Sequence, residues 1–199
     1  FDGDYGENTI IKAFHTSNFT MDGCTLKNES EGHMTGFAGV DGLTVRGCTF
    51  QNQLLTKGHY GYEVIQLDVL HPFHITNGRC EDLACKNVLV ENCTFDNVPR
   101  GVGSHTAVLN NPHDKITIRG NRFTNIGSIA IQGMNWTNVD IRSNYIKDAP
   151  RGITIYSAAA GNTYLPSLLA SKGGTTAHYS DSYKTPAKSN INIAATRSE

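Results

Sequence analysis

The sequence predicts an all-β fold built as a stack of parallel coils. Two observations carry the prediction. One phrase recurs five times, as Asn18-Phe-Thr-Met-Asp-Gly-Cys-Thr-Leu-Lys-Asn28, Gly42-Leu-Thr-Val-Arg-Gly-Cys-Thr-Phe-Gln-Asn52, Asn87-Val-Leu-Val-Glu-Asn-Cys-Thr-Phe-Asp-Asn97, Lys115-Ile-Thr-Ile-Arg-Gly-Asn-Arg-Phe-Thr-Asn125 and Asn138-Val-Asp-Ile-Arg-Ser-Asn-Tyr-Ile-Lys-Asp148. Each copy opens on apolar residues two apart (Phe19/Met21, Leu43/Val45, Val88/Val90, Ile116/Ile118, Val139/Ile141). That is strand periodicity, one face in and one face out, with no helical period in these units.

Anchored on Cys24, Cys48, Cys93, Asn121 and Asn144, the copies lie 24, 45, 28 and 23 residues apart. One coil is therefore about two dozen residues, and the long step holds one coil plus an insertion of roughly twenty. Repeats of this size bury their apolar face only by stacking. A coil of three short strands joined by polar turns gives a right-handed parallel β-helix, here of five coils. Within it Phe50, Phe95 and Phe123 should stack as an internal ladder, continued by Leu26 and Ile146. Asn28, Asn52, Asn97 and Asn125 should form a turn ladder that Asp148 ends, with a structural role.

Cys24, Cys48 and Cys93 share one repeat position and read as a column of small buried side chains. Cys80 and Cys85 lie in the insertion, spaced for a loop-pinning disulfide in an oxidising compartment; a zinc site lacks a second pair of ligands. After Tyr156 the phrase stops. Pro166 to Lys172, followed by Gly173, reads as a short helix, and Thr175 to Glu199 as an irregular tail. The chain thus divides into a β-helix domain, 1–157, and a capping helix with tail, 158–199. No capping element precedes Ile10, so the chain is expected to be the C-terminal part of a longer solenoid, completed by an N-terminal β-helix portion or a second chain. A net charge of −1 over 199 residues argues against a general nucleic-acid surface, and no apolar run reaches membrane-span length.

Chemistry is expected where the repetition breaks, on the third strand of each coil. Arg100-Gly-Val-Gly-Ser-His105 aligns with Arg151-Gly-Ile-Thr-Ile-Tyr156, Ser128-Ile-Ala-Ile-Gln-Gly133 joins after one deletion, and Glu63-Val-Ile-Gln-Leu-Asp68 joins by matching Ile65/Leu67 to Val102/Ser104. Two outward columns result: Gln66, Gly103, Ala130, Thr154, and Asp68, His105, Gln132, Tyr156. They form an exposed polar strip suited to an extended polar ligand. Asp68 and His105 are its centre, since Asp68 sits in an apolar strand at the mouth of the longest loop. The insertion brings His71, His74, Arg79, Glu81 and Asp82 as one wall. Tyr60, with His59 and Tyr62, stands on the other side, and His33 or Thr35 joins from the preceding coil. Glu63 has inward parity and is a candidate buried acid, though a straight strand puts it roughly 16 Å from Asp68. Arg100 and Arg151 share a repeat position, which points to a structural turn role, and His113 reads as a turn residue.

The coils, with Glu63 to Asp68, Asn92 to Phe95 and Arg100 to His105, resemble the secreted bacterial right-handed parallel β-helix proteins that act on carbohydrates, the pectate-lyase-like group. The resemblance covers about residues 8 to 157. It implies a secreted or cell-surface protein and an oligo- or polysaccharide substrate. It leaves the reaction open, because fold does not imply function. The paired aspartates of polygalacturonases and the Asp-Pro-His of alginate epimerases are absent. In a glycoside hydrolase Asp68 is nucleophile or base, and Asp82 or Glu63 the acid, with no cofactor. In a polysaccharide lyase or epimerase His105 or Tyr156 abstracts a proton, and Arg79, or a metal such as Ca²⁺ held by Asp68 and Glu81, neutralises the sugar carboxylate. In a non-catalytic glycan-binding β-helix, or half of a split enzyme, no carboxyls pair. Gln66, Gln132, Tyr156, Thr154, His33, His71, His74, Arg79 and Tyr60 are the candidate substrate contacts.

Overall fold

The structure, a computed structural model, describes residues 1–6, 9–30, 32–54, 62–69, 83–104, 111–156 and 189–199. In chain order its strands are β1 (Ile11–Phe14), β2 (Ser17–Asp22), β3 (Thr25–Ser30), β4 (Thr35–Ala38), β5 (Asp41–Arg46), β6 (Thr49–Leu54), β7 (Glu63–Asp68), β8 (Lys86–Glu91), β9 (Thr94–Gly103), β10 (His113–Arg119), β11 (Arg122–Met134), β12 (Trp136–Arg142), β13 (Tyr145–Lys147), β14 (Arg151–Tyr156), β15 (Ser189–Ala194) and β16 (Arg197–Ser198). The registered strand pairs are all parallel. This is the right-handed parallel β-helix the repeat predicts.

Each coil has three faces. The flank face is a 6-stranded sheet in the order β2-β5-β8-β10-β12-β15. The other two faces belong to one 10-stranded sheet, because β9 and β11 run unbroken round a corner. Their first halves join β3, β6, β13 and β16 on a back face, and their second halves join β1, β4, β7 and β14 on a floor face.

The ladders lie where the phrase puts them. Leu26, Phe50, Phe95, Phe123 and Ile146 are in register and at most 1% exposed. The rings of Phe50 and Phe95 stack at 5.1 Å, those of Phe95 and Phe123 at 4.5 Å. Such pairs contribute about 0.5–1.5 kcal/mol beyond the area they bury. Asn28, Asn52, Asn97, Asn125 and Asp148 all have φ between 53° and 59°, the left-handed conformation Asn and Asp tolerate best. Asn97 Nδ2 donates to Asn52 Oδ1 at 3.0 Å, tying successive turns. A second such corner holds Asn18, Gly42, Asn87, Lys115, Asn138 and Asn190.

The anchor column changes character midway. Cys48 and Cys93 are buried thiols, whereas Asn121 and Asn144 are buried amides at the same place. Asn121 Oδ1 accepts the Cys93 N–H (2.9 Å) and its Nδ2 donates to the Val90 carbonyl (3.0 Å). Asn144 repeats the pattern one coil on, to Asn121 N and Ile118 O.

Two expectations change. Residues 189–198 are not an irregular tail: Ile191 and Ile193 lie in register with Val139 and Ile141, and β16 pairs with β13, adding a sixth coil. The helix expected at 166–172 lies outside the described residues. Cys85 is a free thiol, and its expected partner Cys80 lies outside the described residues. Its Sγ is buried in the core and donates to the Phe37 (3.3 Å) and Asp68 (3.5 Å) carbonyls. His113 is no turn residue: it opens β10, is fully buried, and its Nδ1 accepts the Cys85 N–H at 3.0 Å, which puts the ring proton on Nε2. Among the described residues no helix is long and apolar enough to cross a membrane.

Candidate functional site

Strand β7 breaks the rule of the coils. Flank strands alternate in burial; β7 is buried at all six positions, polar ones included. On its outward side Gln66 and Asp68 are 7% and 3% exposed, so the strip is not the open surface expected of it. The side chains lie along the sheet and bond to one another. Gln66 Nε2 donates to Asp68 Oδ2 at 3.1 Å, and the Val69 N–H donates to Oδ1 at 2.7 Å.

The floor register corrects both columns. Gln132, not Ala130, lies beside Gly103 and Thr154, and Met134 lies beside Tyr156. The cause is a bulge. Val98 pairs with Ile126 but Arg100 with Ile129, so β11 carries one extra residue where the alignment assumed a deletion. Gln66, Gly103, Gln132 and Thr154 thus form one column. Gln132 is 5% exposed, with Nε2 at 3.3 Å from the Ser104 carbonyl and 3.4 Å from Tyr156 Oη.

Glu63 is placed differently from its inward parity. It begins β7 opposite Arg100, and its side chain turns over the floor into the space left by Gly103. A Cβ on Gly103 would stand 2.7 Å from Glu63 Cγ, so glycine is required for close approach. The carboxylate is fully buried. Arg100 Nη1 lies 3.1 Å from Oε1, and His33 Nδ1 lies 3.7 Å from Oε2. His33 Nδ1 also donates to the Glu63 carbonyl at 2.8 Å, and its ring meets Tyr62 edge-on at 5.1 Å. Tyr156 is half-buried. Burial first, then the Glu63 charge, pushes its phenol above the usual value, with Arg100 opposing. Of His33 and Thr35, His33 is partly exposed, whereas Thr35 is buried and donates to the Val64 carbonyl at 3.0 Å.

Residues 4–169 match the right-handed β-helix region family. The chain belongs to the right-handed β-helix family. Comparison with curated proteins and with solved structures returns no match.

In this β-helix the floor brings together Glu63, Gln66, Asp68, Gln132, Thr154, Tyr156 and His33. His105, Asp82, His71, His74, Arg79, Tyr60, Glu81 and His59 lie outside the described residues. Sequence reasoning missed Arg100, which it took for a turn residue. The signal was available: aligning Ile65 with Val102 already puts Glu63 opposite Arg100, two opposite charges on neighbouring coils. Ser104 was missed too. Its buried Oγ accepts Trp136 Nε1–H (2.8 Å) and Met134 N–H (3.0 Å) and donates to the Met134 carbonyl (3.1 Å), fixing the strand under Gln132. Chemically, the floor offers one carboxylate held by an amide and a backbone N–H, one ion-paired carboxylate, and an amide and a phenol. Among the described residues no group of three His, Cys, Asp or Glu could hold a metal ion.

Proposed function

We propose that this β-helix is a carbohydrate-active enzyme that hydrolyses glycosidic bonds of an extended oligo- or polysaccharide, with Asp68 as nucleophile or base. The observation that carries the proposal is the buried floor network: on β7 a carboxylate is fixed by Gln66 and the Val69 N–H, and two strands along the same face a Gln132–Tyr156 pair continues the polar lining. A desolvated carboxylate in a fixed orientation acts strongly on charge that develops next to it. Glu63 is engaged by Arg100 and shapes the floor rather than donating a proton. The proton donor then falls to Asp82 or His105, and Thr154, Tyr156 and His33 meet the sugar.

A lyase needs a base and a cation for the sugar carboxylate. On the described floor the Tyr156 phenol is pushed above its usual value by burial and Arg100 is engaged by Glu63, while His105 and Arg79 lie outside the described residues; the fixed Asp68 carboxylate is what favours hydrolysis. The test is Asp68→Asn, assayed by mass spectrometry on a panel of neutral and acidic glycans. Loss of new reducing ends by about 10²–10⁴-fold, at unchanged thermal stability, supports the assignment. Unsaturated products from the wild type, or unchanged turnover in the variant, overturn it. Asp82→Asn and His105→Gln then separate the two donor candidates.

A further inference from the structure

The back face holds a concavity of about 490 Å³, lined among others by Thr94, Asp96, Arg122, Thr124, Lys147 and Asp148. It lies on strands β6, β9, β11 and β13, away from the floor. Its arginine differs from those of the flank face. On the flank face each arginine faces a carboxylate: Arg46 on Asp22 at 2.7 Å, Arg119 on Glu91 at 2.7 Å, Arg142 on Asp140 at 3.0 Å. The Arg122 side chain has no ion pair or hydrogen bond among the described residues. Its guanidinium lies over the ring of Tyr145, 4.5 Å from the centroid. Stacking holds the planar fork still and leaves its N–H edge for an outside acceptor. Lys147, one coil on beside Thr124, likewise has no ion pair among the described residues.

The acids of the lining serve another purpose. Asp96 Oδ1 already accepts the Thr124 hydroxyl (2.6 Å) and Asn125 Nδ2 (2.8 Å), so that oxygen belongs to the wall. Its second oxygen and the Asp148 carboxylate, on a left-handed turn, are acceptors for hydroxyl groups. Two cations against two carboxylates give a lining with no net charge. That disfavours a polyphosphate backbone, whose binding needs a cation excess. It fits a ligand carrying one carboxylate amid several hydroxyls.

We propose that this concavity binds a uronic acid unit of an acidic glycan, without cleaving it. Arg122 takes the sugar carboxylate as a bidentate fork and Lys147 balances its charge. The Thr94 hydroxyl and the outer oxygens of Asp96 and Asp148 meet the ring hydroxyls. The site is separate from Asp68 and stands whether or not the floor is catalytic.

Titration calorimetry tests it with a uronic acid hexasaccharide, a neutral hexasaccharide and inorganic phosphate. The proteins are the wild type, Asp68→Asn, Arg122→Gln, Arg122→Lys and Lys147→Gln, each checked by thermal melting. The expected result is uronate binding that Asp68→Asn leaves intact, that Arg122→Gln weakens at least tenfold, and that Lys147→Gln weakens severalfold. Arg122→Lys keeps the charge over Tyr145 but loses the fork, and should weaken binding as well; it also stands in if Arg122→Gln does not fold. Uronate affinity unchanged by Arg122→Gln and Arg122→Lys overturns the proposal. So does binding lost only in Asp68→Asn, equal binding of the neutral sugar, or phosphate binding as tight as that of the hexasaccharide.

Discussion

The flank face and the floor face are made by the same coils from the same kind of strand, yet they obey different rules. On the flank, β10 alternates between core and solvent, and its outward charges pair in the open, as Arg119 does with Glu91. On the floor, β7 is buried on both sides, and its polar groups Glu63, Gln66 and Asp68 are held in internal bonds. Exposed pairs contribute little to stability, whereas a buried charge must have its partner. The contrast teaches where to look in a solenoid: at strands whose outward positions are polar but not wet.

The largest effects should come from breaking what is buried. Arg100→Met strands the Glu63 carboxylate and should cost about 3–5 kcal/mol in denaturant unfolding. Phe95→Ala opens the ring ladder and should cost a similar 3–5 kcal/mol. The two differ in readout: only Arg100→Met should change the Tyr156 titration, since Arg100 opposes the rise that burial and Glu63 impose.

Next come the core thiols. Burial pushes Cys85 and Cys93 to about 12 from an ordinary value of 9.0. The unfolded chain then releases these protons first. Stability should be unaffected below about pH 9 and should fall as pH rises from there toward about 12. Replacing both by Ala should flatten that slope, and in the folded wild type neither should react with a thiol reagent at pH 8.

Smaller effects come from the corners and the flank. Asn97→Ala forces alanine to φ 53° and breaks the bond to Asn52, for a loss of about 1–2 kcal/mol. Lys115 already sits at φ 56° in a column otherwise filled by Asn and Gly, so Lys115→Gly should gain about 1 kcal/mol in thermal unfolding. Arg46→Ala, at the exposed pair with Asp22, should have the smallest effect on denaturant unfolding of all, and none in high salt.

The scaffold was legible because the repeat carries its own register. Phe50, Phe95 and Phe123, and the Asn turns, recur at a fixed distance from the anchor, and packing only had to follow. The last coil escaped notice because Asn190-Ile-Asn-Ile193 keeps the strand half of the phrase but lacks the Cys-Thr-Phe half. The floor was half legible. Gln66 and Asp68 stood out as polar residues in an apolar strand. Gln132 was put in the wrong column because a bulge leaves no mark in composition. Glu63 was rightly read as buried at the entry of its strand, but parity did not show that its side chain turns across the sheet into space a glycine leaves.

That bulge works like the sliding scale of a vernier. The Phe and Asn ladders fix the coils at one spacing, while a single residue gained at the corner of β11 moves the whole floor half of the strand by one place. Because side chains alternate, one step exchanges the set that faces up for the set that faces down. A lineage of such chains can therefore re-index its floor by gaining or losing one corner residue, with the rest of the coil left as it was.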